Sequence, residues 1–381
     1  MEGYSSSFLA YVCVITVLGI AAFLRLVMSE IQLTYRLVIY AILLIALERV
    51  CCMYLAGLSG VLIFTAACLL AYQSLSSPKL SVQGKAVFIT GCDSGFGKTM
   101  AQHFDSLGFD VFATVLNEDG PGAKELLQMC SEQLTLIQMD LTKPEDIDRA
   151  LQITKKKLGE KGLWGLVNNA GMCFNISDAE LSAMSNYRSC MEVNFFGAIA
   201  ITKGLLPLIR RAKGRIVNVS SPVGEIPFLY LVAYGASKAA LTLFTNILRL
   251  ELSHWGVKVC IILPGPYKTA ASRNAEYWEH QVHHLIRSVS SEVLQDYGEE
   301  YMLETKDLFL KYITAAAEDF SPVIESITDA ILSTNPKPRY YAGKEIIIMY
   351  IFLYILPTSL SDFIFKNWFL HKKVLPKALQ K

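Results

Sequence analysis

The chain has 381 residues, 52% of them hydrophobic and 18% charged, with a formal net charge of +1. That length holds one large domain or two ordinary ones, and the charged fraction falls below the roughly one quarter usual in soluble domains. A near-neutral chain without a basic run gives a nucleic-acid-binding role no support. Its nine cysteines show no paired spacing and no C-x-x-C, which argues against a zinc site and against a disulfide framework. They read as packing residues in a reducing compartment, and no metal is expected.

Much of the apolar excess sits in residues 1–75. Phe8 to Leu24 is an unbroken apolar run, Leu37 to Leu47 is a shorter one closed by Glu48 and Arg49, and Met53 to Tyr72 is a third. The first and third reach the roughly 17–25 residues that span a bilayer as a helix. A signal peptide would want a basic n-region, whereas only Glu2 precedes the first run. Residues 1–75 therefore read as a membrane anchor of two to three hydrophobic helices. If all three runs span, Arg25, Arg36, Lys79 and Lys85 share one side, and the positive-inside bias sends the rest of the chain to the cytosol. A re-entrant middle run would reverse that parity. Residues 76–84 are polar and read as a linker.

Lys85 to Thr90 is a short apolar strand that enters Thr90-Gly91-Cys92-Asp93-Ser94-Gly95-Phe96-Gly97, and a helical repeat of Phe96, Met100, Phe104 and Leu107 begins at once. Strand, glycine turn and helix in that order form the setting of a dinucleotide fingerprint. Glycines let the backbone approach a pyrophosphate, and the helix N-terminus supplies unpaired N–H groups. The next strand, Asp110 to Leu116, is followed by Asn117-Glu118-Asp119, with no Lys or Arg between Val111 and Gly122. An acid near this strand's end bonds a ribose 2′-hydroxyl, whereas an arginine accepts a 2′-phosphate. NAD is thus favoured over NADP, with the contact open between Asn117 and Glu118. Leu134 to Met139 is a third strand ending at Asp140, expected beside the adenine. Gly165 to Val167 is a fourth, ending in Asn168-Asn169-Ala170-Gly171. Strands alternating with helical stretches imply a parallel sheet covered on both faces, with ligands at the carboxyl ends of its strands.

Arg215 to Val219 is a fifth strand, closing at Ser220-Ser221. Thirteen residues beyond Ser221 comes Tyr234, and Lys238 follows one helical turn later, so the two share a face. A free phenol, with a pKa near 10, ionises too little at neutral pH to act as a base, and a neighbouring ammonium favours the phenolate. Such a pair serves as general base in alcohol oxidation and general acid in ketone reduction. Ser221 is placed to hydrogen-bond the substrate oxygen, and Asn194 to relay a proton through water. A second Tyr–Lys pair, Tyr340 and Lys344, lies in a stretch broken by proline and glycine and reads as a loop or surface element. Val257 to Leu263 is a sixth strand, followed by Pro264-Gly265-Pro266-Tyr267-Lys268-Thr269. Thr269 is expected at the nicotinamide end of the cleft and Tyr267 at the substrate.

Glycine turn, N-N-A-G, Asn-Ser-Tyr-Lys set and P-G turn, in this order, resemble the short-chain dehydrogenase/reductase family over residues 85 to about 345. The resemblance implies a Rossmann-type doubly wound α/β fold behind N-terminal transmembrane helices. By position it makes Asn194, Ser221, Tyr234 and Lys238 catalytic. Its cofactor contacts are Thr90, Gly91, Asp93, Ser94, Gly95, Phe96, Gly97, Asn117, Glu118, Asp140, Asn169, Ala170, Gly171, Pro264, Gly265 and Thr269, with Tyr234 and Lys238. Longer stretches, including Ile89 to Lys98, Leu136 to Pro144, Gly162 to Gly171 and Arg188 to Gly197, are similar to the hydroxysteroid dehydrogenases of that family. This narrower resemblance implies NAD-dependent oxidation of a glucocorticoid 11β-hydroxyl at the endoplasmic reticulum membrane, facing the cytosol. Oxidation of a 17β-hydroxysteroid or of retinol is the alternative, and a catalytically silent binding protein on the same fold is a remote one. A homodimer is also expected.

Residues 270 to 321 leave the sheet pattern, become helical and charged, and carry Tyr277, Trp278, Tyr297 and Tyr301. They read as the substrate lid. Within residues 346–381, Ile346 to Leu356 and Phe363 to Leu370 are apolar but too short to span; they read either as core or as a membrane-interfacial surface.

Overall fold

Short runs of Val, Ile, Leu and Phe that end at glycine or polar residues dictate strands buried on both faces. The computed structural model describes residues 10–21, 35–55, 58–74, 79–269, 274–343, 356–369 and 374–380. Its chain divides into two units, residues 1–80 with 332–339, and residues 81–331 with 340–381.

In the first unit the described helices are α1 (Ala10–Ala21), α2 (Tyr35–Tyr54) and α3 (Leu58–Ser74). Tyr11, Cys51, Val61 and Phe64 form its buried centre. Ile15, Val17, Ile42, Leu43, Leu62 and Ile63 point outward and are exposed, so these helices are apolar on all sides. Lys79 bridges to Ser333, and the Leu80 N–H donates to the Leu332 carbonyl at 2.7 Å. Parts of the expected first span and of the 76–84 linker lie outside the described residues, as does the Ile346 to Leu356 stretch except its last residue.

The second unit is built on a seven-stranded sheet: β1 (Ala86–Ile89), β2 (Asp110–Val115), β3 (Leu134–Gln138), β4 (Gly165–Asn168), β5 (Arg215–Val219), β6 (Lys258–Pro264) and β7 (Arg339–Ala342). Their order is β3-β2-β1-β4-β5-β6-β7. The register is parallel from β3 through β6, with Val87 opposite Val111 and Leu166 opposite Ile216. Phe88, Phe112, Leu166, Ile216 and Val259 pack on one face against Ile201, Leu205 and Leu248. Intervening residues such as Val87, Val111, Val167 and Val217 are also fully buried. The chain reverses its direction of winding between β1 and β4, which opens a crevice at the carboxyl ends of those strands.

Helices α4 (Gly95–Ser106), α5 (Pro121–Met129), α6 (Pro144–Leu158) and α9 (Val232–Leu252) follow successive strands. Between β4 and β5 runs Met184–Ala212, comprising α7 (Met184–Met191), a π turn (Glu192–Gly197) and α8 (Ala198–Ala212). Among the described residues it is the helix long and apolar enough to cross a membrane by length and composition. Its Ile201, Leu205 and Ile209 are fully buried in the core of this unit. The stretch expected to be a lid forms α10 (Ala275–Ser288), α11 (Ser291–Tyr297) and α12 (Glu299–Thr314). Val374 packs on the cluster formed by Leu181, Val282, Leu285, Tyr301 and Met302.

The stretch around Tyr340 is the strand β7, and Tyr340 is buried with its hydroxyl on Asp329 Oδ2 at 2.7 Å. Its proline and glycine bound a four-residue strand instead of breaking a loop. Lys344 lies outside the described residues.

Candidate active site

The strand ends bring the glycine turn and N-N-A-G together. Thr90 Oγ1 accepts the N–H groups of Asn169 and Ala170, each at 3.0 Å, while Asn169 Nδ2 donates to the carbonyls of Thr90 (2.9 Å) and Gly91 (3.1 Å). Gly91, with φ 71°, lies so close to Ala170 that a Cβ would stand 2.9 Å from its Cα. A Cβ at Gly97 would enter the Gly91 carbonyl. The turn therefore delivers Ser94, Gly95 and Phe96, at the start of α4, to the cavity wall, where a helix N-terminus favours an anion. Thr90 and Gly97 stand behind that wall and hold its shape.

At the end of β2 the structure amends the sequence expectation. Neither Asn117 nor Glu118 lines the cavity. Asn117 Oδ1 accepts the Asp119 N–H at 3.0 Å and its carbonyl accepts the Gly120 N–H at 3.1 Å, closing a local turn. The acid that lines the cavity here is Asp93, whose Oδ1 accepts the Leu116 N–H at 2.8 Å. A carboxylate supplied by the glycine turn itself thus occupies the β2 end. Lys98, a cation near this turn, is tied to Glu125 at 2.6 Å. Asp140 also lines the cavity, its Oδ1 accepting the Thr142 N–H at 2.9 Å. These contacts fit a dinucleotide: backbone held open by glycines, a helix N-terminus, and an acid at the strand end.

Ser221, Tyr234 and Lys238 meet midway along the same cavity. The Tyr234 phenol is hydrogen-bonded to Ser221. Lys238 Nζ donates to the Val219 carbonyl at 2.9 Å and stands 5.7 Å from the centre of the Tyr234 ring. Asn194, in the π turn, is fully used: Nδ2 donates to the Met172 carbonyl and to Ser237 Oγ, both at 2.9 Å, and Oδ1 accepts the Met172 N–H at 2.7 Å. It lies behind the wall and fastens the loop after Gly171 to α9. Burial pushes the Tyr234 phenol up and pulls Lys238 down to about 8. The expected lowering of the phenol by the ammonium is not what dominates, because Nζ is engaged by Val219 and burial disfavours both charged forms.

Beyond Tyr234 the cavity, about 1040 Å³ in volume, turns apolar: Phe174, Phe228 and Leu231 face Trp278, Phe309 and Ile313 from the lid helices. The Tyr277 hydroxyl donates to the Cys173 carbonyl at 3.2 Å, and Trp278 packs edge-on against Phe309 with ring centres 5.2 Å apart. Burial also pushes the Cys173 thiol up to about 12, so it remains a neutral wall group. Phe228 and Phe309 escaped the sequence reading because their role depends on packing partners far away in the chain. Tyr267 lines the cavity but packs against Phe96 and Phe320, with its hydroxyl on the Ala342 carbonyl at 3.3 Å. Pro264, Gly265 and Thr269 line the same end.

The short chain dehydrogenase family model matches residues 85–280. Human 11-beta-hydroxysteroid dehydrogenase type 2 is 50% identical over 302 residues, covering 79% of this chain and 74% of that protein. Human 17-beta-hydroxysteroid dehydrogenase type 2 is 41% identical over 342 residues, covering 90% and 88%. The crystal structure of a short-chain dehydrogenase from Streptomyces avermitilis superposes with a TM-score of 0.53 at 23% identity, covering 74% of this chain and 96% of that one. The fold, the ordered motifs and these similarities agree: the chain belongs to the short chain dehydrogenase family of oxidoreductases.

Proposed function

We propose that the chain oxidises the 11β-hydroxyl of glucocorticoids to the 11-ketone with NAD, at the endoplasmic reticulum membrane with its catalytic unit in the cytosol. The observation that carries this reading is the two-ended cavity, in which a glycine-built polar end and an aromatic apolar end meet at Ser221 and Tyr234. The volume of about 1040 Å³ is at the top of the range for a single ligand, which supports two occupants. The 50% identity to a type 2 11-beta-hydroxysteroid dehydrogenase supports the position of the oxidised carbon. NAD over NADP is supported by Asp93 at the β2 end and by the Lys98–Glu125 pair, since a 2′-phosphate would face an acid and find this cation taken.

NAD, when bound, takes up the hydride at its nicotinamide ring. The Ser221 hydroxyl and the Tyr234 phenol hold the substrate oxygen. Below about pH 8 both Tyr234 and Lys238 keep their protons and the pair has no room for another. Above it Lys238 has lost its proton, so the phenol can pass one to the amine while accepting one from the alcohol. Asn194 positions Gly171 and the α9 face beside that amine, since a Cβ at Gly171 would lie 3.1 Å from Lys238 Nζ and 3.3 Å from Asn194 Oδ1. The rate of oxidation therefore rises with pH to a plateau above about 8, and ketone reduction declines over the same window. Initial rates across pH 6 to about 10 check the sign.

The all-round apolar helices of residues 1–75 support an anchor. The exposed Leu360 and Phe363 on the helix Thr358–Phe369 support a membrane-interfacial tail. Leu243, Ile247 and Leu250, exposed along α9, offer a face to a second copy. The test is a panel on membranes from cells expressing the full chain: cortisol, corticosterone, estradiol and retinol, each with NAD or NADP. Oxidation of the first two with NAD is expected. Preference for estradiol would favour the 17β reading, and no turnover of any alcohol would overturn the enzyme reading.

A further inference from the structure

One side of the cavity's apolar end is walled by α12, whose Thr305, Leu308, Phe309, Tyr312 and Ile313 recur at helical spacing along the lining. The attachments that place this helix lie away from the cavity. Lys306 pairs with Glu279 on α10, and the Tyr301 hydroxyl donates at 3.0 Å to Asp178 Oδ2 in the loop after β4. A further attachment comes from the C-terminal segment. The backbone N–H of Val374 donates at 2.9 Å to Glu304 Oε2, 70 residues earlier in the chain. The half-buried Val374 side chain packs beside it on Leu181, Val282, Leu285, Tyr301 and Met302.

Beyond Val374 the segment closes on itself. The Leu379 N–H donates to the Pro376 carbonyl at 2.8 Å, and the Gln380 side chain donates to the Leu375 carbonyl at 2.7 Å, which makes a short turn with Leu375 and Leu379 exposed. That turn crosses the corner between α11 and α12 at Gly298, where φ is 78° and a Cβ would stand 3.3 Å from Lys377 Cβ. Glycine suits both the backbone conformation and the close approach. The segment therefore holds the corner through one apolar side chain and one charge-assisted hydrogen bond. No residue of Val374–Gln380 lines the cavity, so its effect on a ligand passes through α12.

We propose that residues 374–380 are a strap that sets the position of α12, and that Glu304 is the positioning residue through which the strap tunes steroid binding. This deepens, and rests on, the reading of the chain as an 11β-hydroxysteroid dehydrogenase. A helix that carries five wall residues moves them together, so loosening one attachment weakens contact along the whole apolar face. The glycine-built end is walled by other elements and does not share that loss.

Two substitutions in the full chain remove the two partners separately. Val374→Pro deletes the donating N–H and keeps an apolar side chain, and Glu304→Leu deletes the acceptor. With cortisol and NAD on membranes, each should raise the cortisol KM about tenfold, the lower end of what a hydrogen bond to a charged group contributes. The NAD KM should stay at the wild-type value. Glu304→Gln keeps an oxygen for the N–H and should stay within about twofold of wild type. The double variant should be no worse than either single one, because both break the same contact. KM does not depend on how much enzyme has folded, and hydrogen exchange supplies a readout that needs no substrate. Amides of α12 should exchange about tenfold faster in both single variants, with those of α9 unchanged. A double variant whose KM rise is the product of the two single rises overturns the strap, as does a Glu304→Gln as impaired as Glu304→Leu or an equal rise in the NAD KM. Failure of the wild type to oxidise cortisol overturns the reading of the reaction instead. Exchange then decides the strap by itself, and unchanged α12 amides in both variants remove it.

Discussion

At the glycine-built end of the cavity, proposed above for the cofactor, the wall is largely backbone: the Gly91–Gly97 turn, the N-N-A-G segment and the ends of β1, β2 and β4, locked by Thr90 and Asn169. At the apolar end, proposed above for the substrate, the wall is side chains, with Phe228, Tyr230, Trp278 and Phe309 drawn from a loop and two of the helices expected to form a lid. Backbone geometry tolerates almost no added atom but is blind to side-chain identity elsewhere. A side-chain wall tolerates substitution and converts it into a change of preference. The two ends should accordingly fail differently, catastrophically at one and selectively at the other.

The largest effect belongs to the group between them. Tyr234→Phe removes the hydroxyl that exchanges the proton with the substrate oxygen and should lower kcat for oxidation about 10³-fold, while NADH binding, followed by fluorescence, stays close to that of the wild type. Residual oxidation close to wild type would remove Tyr234 from the mechanism. Next comes the backbone end. Gly97→Ala drives a methyl group into the Gly91 carbonyl and toward Asn169, and cofactor affinity should fall about 100-fold, equivalent to the upper range of overpacking costs. Cofactor binding as tight as wild type would mean that the turn is softer than its packing implies.

At the side-chain end Phe309→Ala should raise the steroid KM about tenfold and leave the NAD KM alone. A matching rise in both would erase the contrast drawn between the two ends. The smallest effect tests charge alone. Asp93→Asn keeps an oxygen to accept the Leu116 N–H but removes the carboxylate charge, and the NAD-to-NADP preference should drop about fivefold. An unchanged preference would return the question to Asn117 and Glu118.

This contrast also decides what could be read from the sequence. Six of the seven strands were legible because each short apolar run ends in a motif whose residue types the backbone geometry demands. β7 was not, because four residues, Arg339–Ala342, bounded by proline and glycine look the same as a loop until Tyr340 finds Asp329. Tyr234, Lys238 and Ser221 could be found from spacing and element type. Asp93 was named among the cofactor contacts through the glycine turn, but its place at the β2 end was not legible: it reaches that position through a fold-level contact with Leu116, 23 residues away, and Asn117 is drawn off into its own turn. The phenol's titration was likewise beyond the sequence, since the engagement of Lys238 by the Val219 carbonyl is a tertiary fact. Phe228 and Phe309 carry no local signature at all, and the lid aromatics are recognisable only as a group.

The π turn at Glu192–Gly197 has a consequence for how this gene could tolerate insertions and deletions. One α-helical residue advances the face by about 100°, and a π turn absorbs an added residue without ending the helix. The helix Met184–Ala212 thus runs in two phases. Cys190 is buried in α7, upstream of the offset, and Ile201, Leu205 and Ile209 are buried in the core downstream of it, with Asn194 at the shift. Removing any one of the other five residues would regularise the helix and rotate one half against the other, detaching the Asn194 amide from Met172 and Ser237 while leaving Asn194 itself in the chain. At this point in the chain, length is constrained as tightly as composition.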